Sequence, residues 1–353
     1  MEKAQEIAYF KQTYKKTLDK IDKKLNLVND LVAPTFAAND PMRLESQRFI
    51  VQGGKRLRPA LAQTIAGSYG FNDVWPSLAL ETFHKYILTH DDIIDRDEMR
   101  YGNPTVHTKM QQICINKTEA EHFGNSLAIV AGDLMESATY KIILTSELSA
   151  DKKVELCKLM ADAMDNVGWG WYDQFLMDYE ELDSSNLSFE RIEKSIIWVT
   201  GKYSIELPMR FGFALAGENT PKQLEAFTSS AGLLYQTKDD IMGLFGKVED
   251  TGKSNFGDIS QGKKTLPMWL AYANSGDSDK RTLEHLVGNK NLTSDEAQVV
   301  REIVKSSGAL SRSQDMMREY RDACLNMVQE MHIKSDLKKF LRGFVYYLED
   351  RDR

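Results

Sequence analysis

The sequence predicts an all-α protein, and three observations carry that reading. Only eight prolines interrupt 353 residues. Long segments place apolar residues at three-four spacing, the period of an amphipathic helix. No alternating strand pattern of useful length occurs. Residues 78–95, 125–144, 192–215 and 223–245 show the helical period most clearly. Thr220-Pro221-Lys222-Gln223 predicts a helix start, with proline at the first helical position inside a Thr-x-x-Gln capping box. Thr293-Ser294-Asp295-Glu296 predicts a second capping box. Turn residues separate the elements at Gly70-Phe71-Asn72-Asp73, Asp183-Ser184-Ser185-Asn186, Ala216-Gly217-Glu218-Asn219 and Asn274-Ser275-Gly276-Asp277. No repeat or linker divides the chain, so residues 1–353 read as one all-α domain.

Composition excludes several functions. The chain is 42% hydrophobic, enough for a large core. A net charge of −7 without a long basic run argues against a nucleic-acid partner. Cys114, Cys157 and Cys324 follow no metal spacing and read as reduced thiols, which suits a cytoplasmic protein. The polar start Met1-Glu2-Lys3-Ala4-Gln5 has no apolar signal region. No stretch of about 18 apolar residues predicts a membrane span.

Chemistry concentrates in three places. The first is His90-Asp91-Asp92-Ile93-Ile94-Asp95, which closes the helical run from residue 78. Asp91 and Asp95 are four apart, so their carboxylates share one helix face and repel unless a cation joins them. Asp97, Glu98 and Arg100 follow. A charge run is often only a solvated face, but this one directly follows apolar Phe83, Ile87 and Leu88. Hard oxygen donors point to Mg²⁺. The second place is Gln236, Asp239 and Asp240, followed by Thr251-Gly252-Lys253-Ser254, Asp258, Lys263 and Lys264. Carboxylates alternating with lysines suit metals and cations that share one polyphosphate. Residues 246–254 nearly spell a nucleotide P-loop. They have one residue too many between the glycines and follow a helix, so that reading fails. The third place is Gly53-Gly54-Lys55-Arg56-Leu57-Arg58-Pro59. Two glycines let a backbone approach a ligand, and three cations suit a diphosphate; a solvated basic turn has the same composition.

Together these blocks resemble the trans-isoprenyl diphosphate synthases, the polyprenyl synthetase family. Gly102-Asn103-Pro104-Thr105-Val106-His107, Ala131-Gly132-Asp133 and Glu349-Asp350-Arg351 add to the resemblance, which spans nearly the whole chain. Asp-Asp-Ile-Met-Gly at 239–243, with Lys253 and Lys263 downstream, is similar to the geranylgeranyl branch. The resemblance implies an isoprenoid synthase-type helical bundle around a deep central cavity. It implies a short-chain trans-prenyltransferase that joins isopentenyl diphosphate to dimethylallyl, geranyl or farnesyl diphosphate. The implied product is geranylgeranyl diphosphate (C20, range C15–C25), and the implied assembly is a homodimer. Carried over by position, Asp91, Asp95 and Asp239 would bind about three Mg²⁺, with Asp92, Asp240 and Asp258 acting through water. Arg100, Lys253 and Lys263 would hold the allylic diphosphate. Lys55, Arg58 and His84 would hold isopentenyl diphosphate, with Arg351 closing over it. Thr200 and Gln236 would turn oxygen dipoles toward the carbocation. Tyr86 and Phe83, one and two turns below Asp91, would form the floor that stops chain growth; core aromatics have the same pattern.

Three positions depart from the family. Tyr101 replaces the second arginine before Gly102, which normally contacts isopentenyl diphosphate. Val199 replaces a lysine that binds the allylic diphosphate, with Lys202 a turn away as a possible substitute. Gly243 replaces the third aspartate of many second motifs. Losing two cations keeps two other readings open: a partner-dependent subunit of a heteromeric prenyl synthase, and a prenyltransferase or cyclase with another acceptor.

Overall fold

The computed structural model describes residues 2–246 and 256–351. In chain order its elements are α1 (Glu2–Leu25), α2 (Pro41–Val51), α3 (Leu57–Ser68) and α4 (Leu78–Ile94). A hairpin of β1 (Met99–Arg100) and β2 (Asn103–Pro104) comes next, then α5 (Val106–Ile113), α6 (Ala120–Leu144) and α7 (Ala150–Asp178). α8 (Phe189–Ile196), a π-helical segment (Ile197–Glu206), α9 (Leu207–Ala216) and α10 (Leu224–Phe245) follow. The chain ends with α11 (Gly257–Gln261), α12 (Leu266–Asn274), α13 (Asp277–Leu286), α14 (Ser294–Ser306), α15 (Ala309–Glu330) and α16 (Ser335–Asp350). No helix among the described residues is long and apolar enough to cross a membrane.

The helices form two compact units. The N-terminal unit comprises Gln12–Met160 and Pro208–Asn219. Within it α6 packs along α4 and α5, and small residues permit the approach. A Cβ on Gly132 of α6 would run into the His90 ring of α4, and one on Gly212 of α9 would lie 2.6 Å from the Ala62 carbonyl of α3. The C-terminal unit comprises Met1–Lys11, Ala161–Leu207 and Thr220–Arg353. Its core draws Ile192, Leu233, Leu266, Val300, Val304 and Met316 from five helices. Phe10 of α1 stacks on Phe340 and Phe344 of α16, with ring centroids 5.1 and 5.8 Å apart.

Local sequence accounts for most boundaries. Thr293 and Glu296 form the expected reciprocal capping box of α14. The box expected at Thr220 does not form: α10 begins at Leu224 with Gln223 as N-cap. Residues 192–215 are helical as expected, but the middle is a π-helix. Pro208 offers no N–H to Ser204, and its ring clashes with that carbonyl in an α-helix. The wider π register upstream accommodates this interruption. The hairpin strands are two residues long, too short to show alternation, and join through Tyr101 and Gly102, both at positive φ. That is the primed turn whose twist matches a hairpin.

Candidate active site

In the N-terminal unit, Asp91 and Asp92 lie in the last turn of α4 and Asp95 caps it. A helix C-terminus carries partial negative charge, so carboxylates there are disfavoured without a cation. Arg100 folds back from β1 to supply one. Its Nη2 stands 3.3 Å from Asp91 Oδ2 and 3.4 Å from Asp97 Oδ2, and its Nε donates to Asp92 Oδ1. Asp92 is fully buried, and its Oδ2 accepts no hydrogen bond. Burial pushes its carboxyl up to about 7; Arg100 opposes the shift, and Asp91 and Asp97 add to it.

A cationic cluster lies two turns earlier on α4. Gly53 and Gly54 have φ of +53° and +85°, and Arg56 is also left-handed at +51°. This bent turn enters α3 and directs the Arg56 side chain inward. Arg56 Nη1 pairs with buried Glu81 at 2.6 Å, and its Nη2 donates to the Val51 carbonyl. Burial holds His84 well below the usual imidazole range, reinforced by Arg58, Lys85, Arg100 and Arg56. His84 is therefore a neutral imidazole at neutral pH. Arg58 and His84, expected together, are together; Lys55 follows Gly54 on the exposed side of the turn.

Two residues of this cluster escaped the sequence reading. Glu81 and Lys85 are four apart on the most apolar part of α4, and both are fully buried. Charges at helical spacing inside an apolar run were the signal that could have found them. Tyr101, at the position of a missing arginine, lays its ring 4.6 Å from Lys85 Nζ.

Phe83, Tyr86 and His90 form a stacked stripe along α4. Phe83 and Tyr86 are buried, with ring centroids 5.6 Å apart, and His90 meets the Tyr86 ring edge-on at 4.8 Å.

In the C-terminal unit, Gly201 of the π segment meets Gly232 of α10, where an added Cβ would lie 2.5 Å from the Gly201 Cα. This backbone contact brings Thr200 beside Gln236, whose Oε1 accepts from the Thr200 hydroxyl at 2.9 Å. Gln236 Nε2 in turn donates to Asp240 Oδ1 at 2.9 Å, one turn on. Asp240 is buried. Burial first, then Asp258 and Asp239, push its carboxyl up to about 7 against the hydrogen bonds from Gln236 and the Leu266 backbone. A Cβ on Gly243 would collide with Asp258 Oδ2. The glycine thus makes room for the Asp258 carboxylate. Asp239 pairs with Arg351 at 2.8 Å, while the guanidinium lies 3.6 Å over the Tyr235 ring.

Lys263 follows α11, its N–H on the Asp258 carbonyl. Lys253 lies outside the described residues. Val199 packs against Gly170 of α7. Lys202 is engaged by Glu206 at 3.6 Å and Glu225 at 3.1 Å, so its charge is already matched.

Among the described residues no three His, Cys, Asp or Glu side chains lie close enough to hold a metal ion. The donors nevertheless suit a hard divalent cation. Each unit offers carboxylate oxygens at a helix C-terminus, Asp92 has one buried oxygen without a partner, and burial raises the carboxyls of Asp92 and Asp240.

Residues 42–306 match the family described as polyprenyl synthetase, and the chain belongs to that family. A geranylfarnesyl diphosphate synthase of Aeropyrum pernix is 29% identical, covering 90% of this chain and 96% of its own. A short chain isoprenyl diphosphate synthase of Methanocaldococcus jannaschii is 30% identical, covering 83% of each. The crystal structure of a geranylgeranyl pyrophosphate synthase from Corynebacterium glutamicum, complexed with isoprenyl diphosphate and magnesium, has a TM-score of 0.82. It is 23% identical and covers 97% of this chain and 98% of its own, a likeness of fold. The protein is an all-α enzyme of the isoprenoid-synthase type, a prenyltransferase.

Proposed function

We propose that this prenyltransferase condenses isopentenyl diphosphate with an allylic diphosphate and releases geranylgeranyl diphosphate. The observation that carries the reading is the layout of α4. One helix presents a cationic cluster at His84 and an acidic cluster at Asp91, seven residues or about 10 Å apart along its axis. An anion bound directly and an anion bound through cations are thus provided for side by side. The buried Phe83–Tyr86 stripe on the same helix supplies an apolar barrier.

Asp91, Asp95 and Asp239 would hold Mg²⁺, with Asp92, Asp240 and Asp258 behind them. When bound, the metal neutralises the departing allylic diphosphate and so eases rupture of its C–O bond. Arg100, Lys253 and Lys263 would add charge-assisted hydrogen bonds to the same group. Lys55, Arg58 and His84 would hold isopentenyl diphosphate, Arg351 closing over it. Thr200 and Gln236 would turn oxygen dipoles toward the allylic cation. The double bond of isopentenyl diphosphate then attacks C1 of the allylic chain, and the proton lost afterwards passes to the released diphosphate. Water must be kept out, because it would quench the cation. Tyr86 and Phe83 would stop the growing tail near C20.

The test is incubation of the purified chain with Mg²⁺, isopentenyl diphosphate and each of dimethylallyl, geranyl and farnesyl diphosphate. The expected result is a product ladder ending near C20, lost in Asp91→Ala. A folded protein that elongates none of the three primers would refute the reading.

A further inference from the structure

Lys85 is the most enclosed cation of the N-terminal unit, with no exposed surface at all. Its Nζ donates to the Gln52 carbonyl at 2.5 Å. That carbonyl is the last backbone acceptor before the Gly53–Gly54 turn. Its nearest carboxylate is Glu81, 4.0 Å away, which is already taken by Arg56 at 2.6 Å. Two aromatic faces complete the enclosure, Phe49 at 5.0 Å and Tyr101 at 4.6 Å from ammonium to ring centroid. A Cβ on Gly53 would lie 2.5 Å from the Tyr101 ring, so that ring also rests on the backbone of the turn. Ammonium, ring and turn are therefore three stacked layers, and the outer layer is open: Gly53, Gly54 and Lys55 are exposed.

Lys85 is poorly matched. Arg56 pairs with Glu81 at 2.6 Å and lies 3.8 Å from Asp22, and Arg100 is matched by Asp91, Asp92 and Asp97, whereas Lys85 approaches Glu81 only to 4.0 Å. A buried ammonium that serves packing alone is disfavoured relative to a thioether of the same length. Its position beneath a glycine turn points to an anion above. Burial, with Arg56 and Arg100, lowers the Lys85 pKa to about 7 against Glu81 and Asp92, as expected for a cation whose counter-ion arrives with a ligand.

We propose that Lys85 is a positioning residue of the isopentenyl diphosphate site: it fixes the Gly53–Gly54 turn through Gln52 and places positive charge beneath the bound diphosphate, with Tyr101 as its cation–π cap. The proposal rests on the reading of residues 53–58 as that site. It gives Tyr101 a role. The position that lacks a guanidinium instead holds an ammonium in place from the other side.

The test is calorimetric titration with isopentenyl diphosphate alone, together with steady-state kinetics. Lys85→Met is expected to weaken binding about tenfold, the order of one charge acting on another across the ring and the turn without touching it. KM for isopentenyl diphosphate should rise in step, and KM for the allylic diphosphate should change less than about twofold. Adding Tyr101→Arg to Lys85→Met should restore binding, because a cation returns to the layer from above. Tyr101→Arg alone should not tighten binding as much, since it sets a guanidinium against the ammonium. Unchanged binding in Lys85→Met, with binding weakened in Arg58→Ala, would overturn the proposal and leave the site standing. Unchanged binding in both would refute the site itself. A Lys85→Met chain that fails to fold would mark Lys85 as structural and also overturn the proposal.

Discussion

Replacing the Lys85 ammonium by the methionine thioether should stabilise the ligand-free protein, and the gain should depend on pH. The unfolded chain holds the lysine proton with a pKa of 10.5, while the folded protein holds it at about 7. The unfolded state therefore binds more protons between these values, and stability must rise with pH across that window. Below about pH 7 both states are charged and the cost is fully present. The drop from 10.5 to about 7 corresponds to about 5 kcal/mol at low pH. Half-protonation at pH 7 reduces the cost to roughly 4 kcal/mol, and by pH 10 it falls to about 1 kcal/mol. Lys85→Met also strands the Gln52 carbonyl, a loss of about 1–3 kcal/mol that does not vary with pH. The informative quantity is thus the change with pH. The stability advantage of Lys85→Met should shrink by roughly 3 kcal/mol between pH 7 and pH 10. Urea denaturation of both proteins at pH 7, 8.5 and 10 reads this directly. Parallel profiles would show that the lysine is not held in the strained state the structure describes. The same substitution is expected to weaken isopentenyl diphosphate binding, and a residue that costs stability while serving a ligand marks a functional site.

Tyr86→Ala removes a buried ring between Phe83 and His90 and should cost about 3–5 kcal/mol of stability. Mass analysis should show products extended by at least one five-carbon unit; unchanged length would exclude Tyr86 from the floor. Gly243→Ala places a methyl group where the Asp258 carboxylate lies and should raise the Mg²⁺ concentration for half-maximal activity about tenfold, as disturbed outer ligands do. An unaltered Mg²⁺ requirement would separate Asp258 from metal binding.

The helices and the acidic ends of α4 and α10 were legible in the sequence, because apolar period and carboxylate spacing are properties of neighbours along the chain. The capping box at Thr293 was legible for the same reason. The box at Thr220 was not, since the preceding turn runs on to Gln223 before α10 begins. The π segment before Pro208 was a matter of how the helix absorbs a missing donor, which periodicity does not register.

The composition of the Gly53–Arg58 region by itself determined that a cationic turn exists there. Only the tertiary structure decided which cations count. It enclosed Arg56, half-buried Arg58, and sealed Lys85 under Tyr101, residues drawn from three separate segments of sequence. The substitution at Tyr101 looked like a loss when read singly, and Gly243 like the mark of a branch. Folding brought Lys85 beneath the first and the Asp258 carboxylate against the second. Burial and the distance between charges set the energy of an ionisable group, and neither exists until distant segments pack together.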